Sequence, residues 1–134
     1  MPPEKARFEL PGTERTPHVL LDPEEGLLLV QGCSIPENAD RFYTPLHDAL
    51  DGYLAAPLPR TTIRIELEYF NSSSSKYLLD ILKRLDDLHA SRASQVTMEW
   101  RYAENDLDMQ EAGQDYRSLL DLPTRLVMVP DARG

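Results

Sequence analysis

The residues best suited to chemistry are Asn71-Ser72-Ser73-Ser74-Ser75-Lys76, preceded by Glu68-Tyr69-Phe70. Four hydroxyls in a row fall where an alternating strand pattern gives way to a helical one. A helix N-terminus carries unsatisfied N–H groups and about half a positive charge, so it suits a phosphate. One side chain is enough to cap a helix, and Asn71 or Ser72 would serve. The remaining hydroxyls make the junction a candidate phosphorylation switch. A phosphate on Ser72 adds roughly two negative charges at the helix start. The helix tolerates that charge. A partner surface fitted to this end, beside Glu66 and Glu68, does not, so phosphorylation is expected to alter recognition more than folding.

No other group of residues competes for a chemical role. His18, His47 and His89 fall on different elements, and none combines with Cys33 or a serine in a triad order. Cys33 is the single cysteine, which excludes an intrachain disulfide and reads as a small residue beside a strand end. Glu104-Asn105-Asp106-Leu107-Asp108 resembles a calcium loop but lacks its central glycine and closing glutamate, so it reads as a solvated loop feeding a helix. Gly26 and Gly32 flank a strand and form no phosphate loop. Asn71-Ser72-Ser73 matches a glycosylation sequon, which has no meaning in an intracellular chain. A hydrolase built on Glu66, Glu68 and Glu99 is the remaining catalytic reading. Those carboxylates are expected on an open polar sheet face, without a pocket and with ordinary acidity. The chain is therefore expected to be no enzyme and to need no cofactor or metal.

The elements that position the serines follow from hydrophobic periodicity. Ile63, Ile65, Leu67 and Tyr69 alternate with Arg64, Glu66 and Glu68, which predicts a strand over 62–70 with Tyr69 on the buried side. Val96, Met98, Trp100 and Tyr102 predict a second strand over 95–102, with the aromatic residues in the core. Strict alternation means one buried and one wet face, so the helices are expected on one side of the sheet only. Arg64 and Arg101 are expected to pair with Glu66, Glu68 and Glu99 on the wet face. Between the strands, Leu78, Ile81, Leu82, Leu85 and Leu88 form the stripe of a helix from Ser73 to about Ala90. Strand, helix, strand at this length is a parallel, right-handed crossover.

Upstream, Val19–Leu21 and Leu27–Val30 flank the turn Asp22-Pro23-Glu24-Glu25-Gly26 and predict an antiparallel hairpin. Ser34-Ile35-Pro36-Glu37-Asn38 carries helix-start residues, and Phe42, Leu46, Leu50, Tyr53 and Leu54 follow at helical spacing. Pro45 predicts a kink or a late start. Downstream, a helix over 107–120 with Met109, Ala112, Tyr116 and Leu119 inward precedes a last strand over 124–129. The expected fold is a two-layer α/β sandwich with a mixed sheet of four or five strands. Residues 1–134 are expected to form a single regulatory domain, with 1–7 and 131–134 loose.

Composition narrows the partners. Apolar residues make up 41% of the 134 and charged residues 28%, which allows a packed core. The net charge of −9 argues against nucleic acid and anionic membrane. No apolar run approaches a membrane span and the N-terminal residues have no hydrophobic region, so the chain is expected in the cytoplasm.

Four stretches give the chain a resemblance to the SiaC family of bacterial regulatory phosphoproteins. Gly12-Thr13-Glu14-Arg15-Thr16-Pro17 resembles the family's G-T-x-x-T-P. Ser34-Ile35-Pro36-Glu37-Asn38 resembles S-Y-P-E-N, with Ile35 in place of tyrosine. Glu68 to Lys76 resembles E-Y-F-N-T/S-S-S-x-K. Trp100-Arg101-Tyr102, with Asp106-Leu107-Asp108-Met109 and Glu111-Ala112-Gly113, resembles W-x-Y and its acidic sequel. The resemblance implies a STAS-like fold and a non-catalytic switch. It implies a serine/threonine protein kinase that modifies the hydroxyl after the asparagine, and a metal-dependent PP2C-type phosphatase that removes the phosphate. It implies that the unmodified form binds and activates a diguanylate cyclase, raising cyclic di-GMP and promoting biofilm. Carried over by position, the acceptor is Ser72, with Ser73 second, and Glu68, Asn71, Ser74, Ser75 and Lys76 surround it. A STAS-type anti-sigma factor antagonist, acting by partner switching on transcription, is the alternative.

Overall fold

The computed structural model describes residues 7–130. Nine elements follow one another as β1 (Phe8–Leu10), β2 (His18–Asp22), β3 (Leu27–Ser34), α1 (Ala39–Ala55), β4 (Arg60–Phe70), α2 (Ser72–Ala90), β5 (Gln95–Ala103), α3 (Leu107–Ser118) and β6 (Thr124–Val129). The strands form one sheet in chain order, antiparallel from β1 to β3 and parallel from β3 to β6. Each parallel step carries one helix. Right-handed crossovers that all advance in one direction place their helices on one face, as the alternation requires. The sheet has six strands where four or five are expected. The extra one is β1, whose three residues are too few to show a period. The expected loose segments lie outside the described residues except for Arg7, which is exposed and paired with Glu9.

The core lies between the sheet and the helices. Val19, Leu28, Val30, Ile63, Ile65, Val96, Met98 and Trp100 meet Leu46, Leu50, Leu78, Ile81, Leu82 and Leu85 there. Trp100 is fully buried against the rings of Phe70 and Tyr116, at 6.3 and 5.4 Å. Its indole N–H donates to the Met109 carbonyl at 2.9 Å. Helix α3 approaches this indole through Gly113, where a Cβ would lie 2.5 Å from the ring. Gly26, at φ +66°, turns the β2–β3 hairpin where a Cβ would meet the Arg60 carbonyl at 2.5 Å.

Several local expectations need correction. Ser34 ends β3 and is buried; Asn38 is the true cap of α1, its Oδ1 accepting from the Arg41 N–H at 3.0 Å. The proline at 36 favours extended backbone at Ile35, which delays the helix. Of the two outcomes expected at Pro45, the late start is the one overturned, because the helix starts six residues before it and runs through to Ala55. Leu119 is 58% exposed because α3 ends at Ser118, and Leu122 is buried instead. Tyr69 is also 58% exposed. Gly32 pairs with Leu67 but Cys33 pairs with Tyr69, so Glu68 is an extra residue in β4. This β-bulge shifts the alternation by one position. Tyr69 turns outward and Phe70 turns in to meet Trp100.

Candidate functional site

The bulge delivers the chain from β4 directly into the first turn of α2. Asn71 holds that turn. Its N–H donates to the Ser34 carbonyl at 3.0 Å, and its Oδ1 accepts from the Ser74 N–H at 2.9 Å. Of the two capping candidates, Asn71 is the cap.

The four hydroxyls that follow have separate surroundings. Ser74 is fully buried, and its Oγ donates to the Ser34 carbonyl at 3.0 Å while accepting from Ser34 Oγ at 2.8 Å. Ser34 Oγ lies 2.5 Å from the Tyr43 hydroxyl, which closes a clasp between β3, α1 and α2. Burial pushes the Tyr43 phenol above its usual pKa, so it stays protonated as a donor. Ser75 Oγ lies 2.8 Å from the Tyr116 hydroxyl, which in turn donates to the Ser75 carbonyl at 3.1 Å. Burial raises the Tyr116 phenol as well. Ser73 is exposed, and its hydroxyl donates to Asn71 Oδ1 at 3.2 Å. Ser72 is exposed, and its hydroxyl has no protein partner among the described residues. Lys76 is exposed one helical turn beyond Ser72, at the spacing that puts two side chains on one helix face. Glu68 is exposed at the bulge, with Oε2 3.7 Å from Cys33 Sγ.

The family profile of the SiaC family regulatory phosphoproteins matches residues 10–129. The chain belongs to the SiaC family. A curated relative, an uncharacterized protein of Pseudomonas aeruginosa, is 30% identical over 116 residues, covering 87% of this chain and 91% of the relative. SiaC of Pseudomonas aeruginosa superposes with a TM-score of 0.83 at 27% identity, over 92% of this chain and 99% of that one. A crystal structure of the diguanylate cyclase SiaD in complex with its activator SiaC, from the same organism, matches with a TM-score of 0.86 at 28% identity, over 91% and 99%.

In this SiaC-family chain the expected set of Glu68, Asn71, Ser72, Ser73, Ser74, Ser75 and Lys76 lies around one strand-to-helix junction, but not in one role. Asn71, Ser74 and Ser75 hold the turn. Ser72, Ser73, Lys76 and Glu68 face solvent. Ser34, Tyr43 and Tyr116, which anchor the serines, are absent from the sequence-based set. Ser34 falls within the Ser34-to-Asn38 motif and was readable there; Tyr116 was readable as an inward helical position but not as a partner of Ser75, and Tyr43 carries no local signal. Asp106, within the calcium-like stretch, caps α3 by accepting from the Met109 N–H at 3.0 Å.

The open sheet face differs from expectation in three respects: the acidity of Glu99, the pairing of Glu68 and the relief of the surface. Glu99 accepts from Arg101 at 2.6 Å and from Arg64 at 3.3 Å, and Glu66 lies 3.6 Å from Arg101. Burial pushes the Glu99 carboxyl up, but the two guanidiniums outweigh it and hold the group below the usual range. Arg101 is raised by the same hydrogen bond to Glu99. Glu68 takes no part in these pairs. The face is also not flat: a depression of about 260 Å³ is lined by Glu66, Glu68, Arg101 and Asp106. Among the described residues, no helix is long and apolar enough to cross a membrane.

Proposed function

We propose that this chain is a non-catalytic, cytoplasmic adaptor switched by phosphorylation of Ser72. A serine/threonine protein kinase adds the phosphate and a PP2C-type phosphatase removes it. The unmodified form binds and activates a diguanylate cyclase, the role that SiaC has as activator of SiaD in the Pseudomonas aeruginosa complex. The observation that carries the reading is the division among the serines. Ser72 is exposed with no protein partner among the described residues, while Ser73, Ser74 and Ser75 are engaged. A phosphate on Ser72 sits over the free N–H groups of the first turn and within reach of the Lys76 ammonium one turn on. The fold keeps its contacts. The surface beside exposed Glu68 and Tyr69 gains charge, and a partner packed on it must desolvate that charge.

The test is binding to the cyclase and mapping of the phosphate. Ser72→Ala should bind as the wild type does, and Ser72→Asp should bind at least about tenfold more weakly. Equal affinity of the two variants refutes the recognition mechanism. Mass spectrometry after treatment with the active kinase should place the phosphate on Ser72; Ser73 alone would reassign the site, and no incorporation at either would reject the switch. Capture of an anti-sigma factor in place of a cyclase would move the output to transcription.

A further inference from the structure

The sheet face away from the helices carries its charge unevenly. Where β4 and β5 begin, Arg60, Thr62 and Arg64 run beside Gln95, Thr97 and Glu99, and Arg125 of β6 neighbours Glu99. These residues line a depression of about 370 Å³. A second depression, of about 440 Å³, adjoins it through Arg60 and Gln95 and adds Arg92. Glu99 is the one carboxylate lining either of them, and it is held by Arg64 and Arg101. Arg60 and Arg125 are exposed, and neither has a carboxylate within ion-pair distance among the described residues. Toward the far ends of the strands the same face turns acidic, with Glu66, Glu68 and Asp106 around Arg101. A chain of net charge −9 thus concentrates four guanidiniums on one strip.

The spacing indicates the ligand. Arg60 and Arg64 are four residues apart on one strand, about 13 Å at ~3.3 Å per residue, and Arg125 lies about 10 Å across two strand spacings from Arg64. That is too wide for one phosphate and suits a row of separate negative charges. No aromatic side chain lines either depression, so there is no platform for a base. The field of the whole chain repels a long polyanion, whereas a short acidic segment meets only the local field.

We propose that this strip docks an acidic peptide segment of a protein partner, independently of the state of Ser72. The strip lies at the start of β4 and Ser72 lies just past its end. The eleven residues of that strand span roughly 35 Å, several screening lengths of physiological salt. A partner held on the strip would stay bound when the switch releases its own.

The experiment uses the full chain and a fluorescein-labelled peptide of glutamates, read by fluorescence anisotropy at low ionic strength, about 50 mM. Saturable binding is expected. The double variant Arg60→Glu with Arg125→Glu should weaken it by about tenfold or more. The double variant Lys83→Glu with Arg117→Glu makes the same charge change at two exposed helical positions and should weaken it by less than about twofold. Ser72→Asp should leave it unchanged. Circular dichroism checks that each variant is folded, and Arg60→Gln with Arg125→Gln should give an intermediate loss. Absence of binding by the wild-type chain overturns the proposal, as does equal loss in the two charge-reversed variants. Loss in Ser72→Asp overturns the independence of the two surfaces.

Discussion

Ser72 and Ser74 are two positions apart and chemically identical, yet their side chains have opposite surroundings. Ser74 Oγ bridges to Ser34 inside the clasp with Tyr43, where an unmade hydrogen bond leaves a dry polar atom. Ser74→Ala should therefore cost about 1–2 kcal/mol in a urea unfolding experiment. Ser72→Ala removes a solvent-facing hydroxyl and should stay within about 0.5 kcal/mol of wild type. A similar cost for both would mean that the clasp holds nothing. The run of serines and its place at a helix start were legible in the residues, since capping chemistry is local. Which serine is free was not. The partners that bury Ser74 and Ser75 lie 40 and 41 positions away, and no local pattern encodes them.

At the scale of elements, the strands and helices that frame the site were legible because their periods run over many residues. The exceptions are short or break the period. Strand β1 has three residues. The bulge at Glu68 adds one residue to β4, and a strict alternation carried past it assigns Tyr69 to the wrong face. Helix α1 accommodates Pro45 on its exposed side, where the preceding Thr44 donates from its hydroxyl to the Asp40 carbonyl at 2.7 Å. Packing of α3 depends on Gly113, whose missing Cβ admits the Trp100 indole and a Leu126 methyl. Trp100 is fully buried and has little room to yield, while Leu126 is partly buried at the edge of the core. Gly113→Ala should lower stability by about 1–3 kcal/mol, although alanine favours helix. The check is thermal unfolding together with near-ultraviolet circular dichroism of the tryptophan. An unchanged melting temperature would show that α3 shifts freely over the sheet.

For the molecule as a whole, the acid limb of stability has an identifiable contributor between α1 and α2. Arg84 donates to His47 Nδ1 at 3.0 Å and to the His47 carbonyl at 3.3 Å, and it also pairs with Asp51. Burial, then the Arg84 charge, lower the His47 pKa below 6.5, against the opposing pull of Asp80, Asp51 and Asp48. Between that lowered value and 6.5 the unfolded chain binds a proton that the folded chain refuses. Raising pH through this window therefore favours the fold, and the contribution is complete above it. His47→Gln should flatten the rise in urea midpoint between about pH 5 and about pH 7.5. An unchanged slope would assign the acid limb to other groups. The reversal of sign along the open sheet face has a different consequence. Arginines at the start of β4 and carboxylates toward its end give this face an electric moment along that strand. Ser72 follows the acidic end, so a phosphate there lengthens the moment instead of cancelling it. The modified and unmodified forms would then turn toward a partner of the Ser72 end with different preferred orientations, and the switch would already act on that encounter, several ångströms before any surface touches.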